Sequence, residues 1–98
     1  MRYRSRFEII GLILAIAGSG GVSRSKIMYK SFLSSWQSRD FMITLTERGL
    51  LSFDKTTRTF KTTEKGFIFL HEYIELRELM KIKEQNKQTG RILSQIYY

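Results

Sequence analysis

Four hydroxyl residues punctuate this chain. Ser5, Ser23, Ser34 and Thr63 each stand directly before a stretch with helical spacing, where a side-chain oxygen can accept from a free first-turn amide. Ser5-Arg6-Phe7-Glu8 reads as a capping box, with the Glu8 carboxylate reaching back. Phe7, Ile10, Leu14 and Ala17 follow on one helical face, and Gly18-Ser19-Gly20-Gly21 ends the element. Val22 suits a short strand. Ser23 opens a short helix to about Lys30 with Ile27 and Met28 inward, and Ser31–Leu33 form a turn. Ser34 opens a third helix to about Arg48. Centred on Phe41, its inner face holds Ser34, Ser38, Met42 and Leu45 within about 100°. Trp36, Arg39, Asp40, Ile43 and Glu47 point away, and Gly49 follows as a C′ glycine. Proline is absent, so nothing interrupts these helices.

Leu50–Phe53 and Thr59–Thr62 have strand composition, and the polar Asp54-Lys55-Thr56-Thr57-Arg58 between them suits a hairpin tip. Thr63 caps a last helix. It is heavily apolar from Phe67 to Ile82, pauses over 83–88 and resumes at Ile92, Leu93 and Ile96. The order helix, short strand, helix, helix, hairpin, long helix predicts a mainly α fold with a small β-hairpin. This is a winged helix-turn-helix followed by a long C-terminal helix of coiled-coil type. The division expected is 1–66 for the winged domain and 67–98 for the C-terminal helix, with the helix-turn-helix at 23–48 and the wing at 50–62.

Ninety-eight residues, 42% hydrophobic and 13% aromatic, suffice for one compact core. The absence of cysteine excludes disulfides, thiolate zinc sites and thiol nucleophiles, and it fits a reducing cell interior. His71 stands alone on the last helix, solvent-facing or packed, and no carboxylate cluster accompanies it. Gly18–Gly21 is not followed by the Lys-Ser/Thr of a phosphate loop, and no nucleophile–base pair is apparent. The chain thus reads as a non-enzyme that needs no cofactor, with no small-molecule substrate evident. Ile9–Ala17 is too short to span a bilayer. Arg2, Arg4 and Arg6 before it resemble the start of a signal peptide, but Glu8 breaks that pattern.

The net charge of +8 is lopsided. Residues 1–61 hold eleven Lys/Arg against four acids, +7, while 62–98 hold six against five. Such an excess calls for a polyanion, nucleic acid before an anionic membrane surface. The candidate contacts follow from the elements. Arg24, Ser25 and Lys26 open the second helix, where free amides and cations together bind a phosphate. Ser34, Ser35, Trp36, Gln37 and Arg39 occupy the end of the third helix that meets base edges, Gln and Arg having the shapes for adenine and guanine. Lys55 and Arg58 lie at the wing tip. Asp40, on the same side as Trp36, orients Arg39 or Lys26 or else limits binding.

Ser25-Lys26-Ile27-Met28-Tyr29, Leu33-Ser34, Gln37, Phe41, Leu45 and Gly49-Leu50, then Thr63-Glu64-Lys65-Gly66 with Phe69-Leu70, resemble a large archaeal winged-helix group. It includes the ArnR-like regulators and the small chromatin-associated Sulfolobus proteins that dimerise through an antiparallel coiled coil. The resemblance implies a dimeric, nucleoid-associated DNA-binding protein of an archaeon or its virus. It places Lys26, Tyr29, Ser34 and Gln37 toward DNA and makes Gly49 and Gly66 structural. Trp36 departs from the polar or basic residue expected there.

The tail argues for pairing on its own. Leu79, Ile82, Asn86, Thr89, Leu93 and Ile96 follow alternating steps of three and four, a heptad seam with a polar middle. Dimerisation is therefore expected through Leu79, Ile82, Asn86, Leu93 and Ile96. The function expected is duplex binding by a homodimeric transcriptional regulator in the cytoplasm. An architectural chromatin protein with little sequence preference and a protein-interaction module stand as alternatives.

Overall fold

A computed structural model of the chain describes residues 4–85. Their order is α1 (Arg6–Ala17), α2 (Arg24–Ser31), α3 (Ser35–Glu47), β1 (Leu51–Asp54), β2 (Thr59–Thr62) and α4 (Glu64–Gln85). The expected seam residues Asn86, Leu93 and Ile96, and the side chain of Ile82, lie outside the described part.

All four predicted caps form. Ser5 Oγ accepts from Glu8 N at 3.1 Å, Ser23 Oγ from Lys26 N at 3.2 Å and Ser34 Oγ from Gln37 N at 3.1 Å. Thr63 Oγ1 accepts from Gly66 N at 3.0 Å while donating to Gly49 O at 2.6 Å. Such caps each stabilise a helix by about 1 kcal/mol. The box at Ser5 closes on one side only, whereas the one at Ser34 closes on both, because Gln37 Oε1 accepts from Ser34 N at 3.1 Å.

α1 is apolar almost all round because it lies among α2, β2 and α4. Ile13, Leu14 and Ala17 are buried, with Ile27 from α2, Phe41, Met42 and Leu45 from α3, and Leu50 and Leu51 at the start of the hairpin. The α3 face centred on Phe41 is thus as the spacing predicts, except that Ser34 is exposed at its cap. Phe7 corrects the α1 stripe. It stacks on Phe69, ring centroids 6.2 Å apart, at the exposed end of the helix.

The hairpin pairs Leu51 with Thr62, Ser52 with Lys61, Phe53 with Phe60 and Asp54 with Thr59. The first strand therefore begins one residue later than its composition suggests. Val22 adds an isolated bridge to Phe60, donating at 2.9 Å and accepting at 2.7 Å. Thr62 is pinned from the other side. Its N–H donates to Gly18 O at 2.8 Å and its hydroxyl to Leu14 O at 2.7 Å, which satisfies a buried polar group. α4 then crosses both the hairpin and α1. Gly66 permits the first crossing, since a Cβ there would collide with the Leu50 carbonyl and lie 2.7 Å from Thr62 Cγ2.

Candidate nucleic-acid interface

Tertiary contacts fix where the helix-turn-helix starts and where each of its helices stops. The Val22–Phe60 bridge ties the residue before the Ser23 cap to the second wing strand, one residue in from its tip end, so the start of α2 stands beside the hairpin. Arg24, Ser25 and Lys26 are exposed in that turn. Its uncommitted amides, the positive end of the helix dipole and two cations together form a phosphate-compatible corner.

The far end of α2 is closed from a distance. Arg4 Nη1 donates to Ser31 O at 2.7 Å and Nη2 to Phe32 O at 3.4 Å. Lys65 does the same for α3, its Nζ donating to Arg48 O at 3.0 Å. Cations at helix C-termini satisfy orphan carbonyls and offset the negative dipole end. Arg6 lies over the Phe41 ring, 4.9 Å from its centroid. Arg4 and Arg6 therefore serve the fold, although the sequence presents them as undifferentiated basic residues. Arg2 lies outside the described part.

α3 exposes Ser35, Trp36, Gln37 and Arg39, with Trp36 76% accessible. Ser34 and Gln37 are partly committed, since each supplies its side-chain oxygen to the other's backbone amide. What Gln37 retains for a ligand is its amide NH2 and one further lone pair. Ser38 is buried, its hydroxyl donating to Ser35 O at 3.0 Å. Tyr29, in the last turn of α2, is 81% exposed.

At the wing tip Lys55 and Arg58 are exposed. Asp54 shapes the loop: its Oδ1 accepts from Thr56 N at 2.8 Å and from Thr57 N at 3.5 Å. The Thr56 bond, ahead of Thr57 and nearby Lys61, holds this carboxyl below its ordinary value of 3.8 despite some opposing desolvation. Arg58 closes the loop in the left-handed region at φ 55.

Among the described residues the acid–base contact within 4 Å is His71 Nε2 to Glu75 Oε1 at 3.9 Å, an ion pair only when the imidazole is protonated. Asp40 does not pair with Arg39 or Lys26, so the expected orienting role is not formed. His71 is solvent-facing on α4. Also among the described residues, no His/Cys/Asp/Glu group could hold a metal ion, and no helix is long and apolar enough to cross a membrane. On α4, Leu76, Leu79 and Met80 are each more than half exposed. Of these, Leu76 and Met80 line a groove of about 920 Å³ between α1 and α4, together with Phe7, Phe69 and Tyr73.

Two short helices joined by a tight turn, a bridged hairpin behind them and a fourth helix locking the sheet define a winged helix-turn-helix domain. The chain belongs to the winged helix-turn-helix family, which matches residues 3–81. No curated protein matches it. Among solved structures it is similar to Sso10a-2, a DNA-binding protein from Sulfolobus solfataricus. The TM-score is 0.69 at 18% identity, over 97% of this chain and 98% of that one. It is also similar to a MarR family protein from Bacillus stearothermophilus, with TM-score 0.61 at 18% identity, over 98% of this chain and 74% of that one.

Proposed function

We propose that this protein binds double-stranded DNA as a homodimer. α3 enters the major groove through Ser34, Ser35, Trp36, Gln37 and Arg39. The first turn of α2 holds a phosphate with Arg24, Ser25 and Lys26, Tyr29 lies alongside, and Lys55 and Arg58 carry the wing to the backbone or minor groove. The observation that carries this reading is that Arg24, Lys26, Arg39, Lys55 and Arg58 are all exposed and, among the described residues, none is paired with a carboxylate. The Val22–Phe60 bridge ties the start of α2 to the second wing strand. The likeness to a DNA-binding protein of nearly equal length supports it.

Pairing runs through 67–98, with Leu79, Ile82, Asn86, Leu93 and Ile96 in the seam. The uncovered Leu76, Leu79 and Met80 support this, since a second helix would remove that apolar surface from water. Transcriptional regulation in the cytoplasm of an archaeon or its virus is the role that follows. A second reading, a nucleoid protein of broad specificity, is favoured by the capping box, which takes Gln37 Oε1 into the backbone.

Gel shifts across a salt series, with sedimentation of the complex, test the proposal. Duplex affinity falls steeply between low and moderate salt, and two chains bind each site. Salt-independent affinity would overturn it. A regulator prefers its best site over random duplex by ~10³ or more, an architectural protein by about tenfold or less.

A further inference from the structure

Three aromatic rings fall within eight residues at the α2–α3 junction: Tyr29 in the last turn of α2, Phe32 at its C-cap and Trp36 in the first turn of α3. Phe32 is 85% exposed, the most exposed of the three. None of them belongs to the aromatic pairs formed among the described residues, Phe7–Phe69 and Phe53–Phe60. Large rings left in water contribute little to folding, and here the backbone adds a cost. Phe32 sits at φ 57, ψ 36, the left-handed region that a residue with a Cβ enters against steric resistance. The turn needs a left-handed residue, because the Phe32 and Leu33 amides fold back onto carbonyls of the last turn of α2. Nothing in the turn needs a phenyl ring. Glycine would close it with less strain, and the adjoining Leu33 already makes the contact with the core.

The surroundings are cationic. Lys26 and Lys30 flank Tyr29, Arg39 follows Trp36 by three residues, and Asp40 is the sole carboxylate between Glu8 and Glu47. Bare ring faces interleaved with cations match a polyanion whose bases offer their own faces. A paired duplex does not, since its bases stack on each other and present only edges in the grooves. We infer that the α2–α3 junction binds unpaired bases of nucleic acid. Tyr29, Phe32 and Trp36 stack on the bases, and Lys26, Lys30 and Arg39 neutralise the flanking phosphates. This rests on the reading that the helix-turn-helix face meets nucleic acid, and it adds that opened or single strands are preferred there.

Trp36 is the sole tryptophan, so its emission reports directly on stacking. Three probes suffice: a labelled duplex, the same duplex with a central run of mismatches, and oligothymidylate. The opened duplex is expected to bind at least about fivefold tighter than the paired one, and both it and oligothymidylate to quench Trp36. Phe32→Gly removes a ring while relieving the left-handed strain, so the fold is retained, as circular dichroism checks. That variant is expected to lose most of the preference while keeping duplex affinity and its salt dependence. Equal affinity of the native protein for paired and opened duplex, with steep salt dependence for both, would overturn this inference alone. Failure to bind any of the probes would overturn the duplex reading with it. Loss of self-association in Phe32→Gly, with the preference unchanged, would assign the rings to a second copy and overturn the inference too.

Discussion

The Tyr73 ring occupies the space that a side chain on Gly11 would need: a Cβ there would stand 2.7 Å from both Cδ2 and Cε2 of Tyr73. α1 and α4 meet at this point, so the approach of the long helix to the rest of the domain depends on one missing methyl group. In an isolated helix Gly11→Ala would gain up to about 1 kcal/mol of propensity. Here it forces the ring or the helix aside, at about 1–3 kcal/mol for an overpacked contact. A net loss of about 1–2 kcal/mol is expected in urea unfolding. With Tyr73→Ala already in place, the same change should cost nothing or stabilise, so a double-mutant cycle without coupling would refute the contact.

Gln37 has two candidate duties, and three variants separate them. Gln37→Ala removes the acceptor for the Ser34 amide together with any base contact, so stability and site discrimination both fall. Gln37→Glu keeps an acceptor at the third helical position and suits the dipole, so stability holds. The charge it brings faces phosphate, however, and duplex affinity should drop at least tenfold in gel shifts. Ser34→Ala should cost about 1 kcal/mol of stability through the lost cap.

The wing cations should act without regard to sequence. Lys55→Ala or Arg58→Gly is expected to weaken all duplexes alike and to lower the salt slope by about 1 per residue removed. Glycine is the right replacement at Arg58, because alanine would leave the φ of 55 strained without the charge. Arg39→Ala should instead reduce discrimination between sites. Equal effects from the two classes would favour the architectural role.

Asp54 makes the wing loop pH-sensitive. Its carboxyl is held below 3.8 in the folded chain, so its contribution to loop order is fully present above that value. It is lost as pH falls through the lower folded value. The Thr56 amide resonance, tied to Asp54 Oδ1, should therefore shift toward loop-like values below about pH 4 while the core amides stay in place. Asp54→Asn should remove that step. A midpoint above 4 would contradict the bond.

Removing apolar surface from α4 should decide the assembly. Leu76 and Leu79 are each 63% exposed, so Leu76→Glu with Leu79→Glu leaves the domain folded. Sedimentation should show monomers, with operator-length duplex bound more weakly and without paired contacts. A variant that still sediments as a dimer would move the interface elsewhere.

The punctuation of this fold is local, and local features are legible. Ser5, Ser23, Ser34 and Thr63 each bond an amide three residues on, and the burial of Phe41, Met42 and Leu45 follows from helical phase alone. The candidate surface was legible in outline for the same reason, since the N-terminal turns of α2 and α3 and the hairpin tip are set by caps and turn residues. What the sequence could not separate were residues of one chemical type with different partners. Arg4 reaches Ser31 across 27 positions and Lys65 reaches Arg48 across 17, so two of the cations that make the chain look basic are spent as helix caps. Phe32 likewise looked like an ordinary turn residue, because exposure and a left-handed φ are properties of the packed α2–α3 corner. Hydroxyl caps and periodicity determined where the helices lie. Only the tertiary structure, through contacts whose partners are far apart in the chain, decided which charges and rings remain available to a ligand.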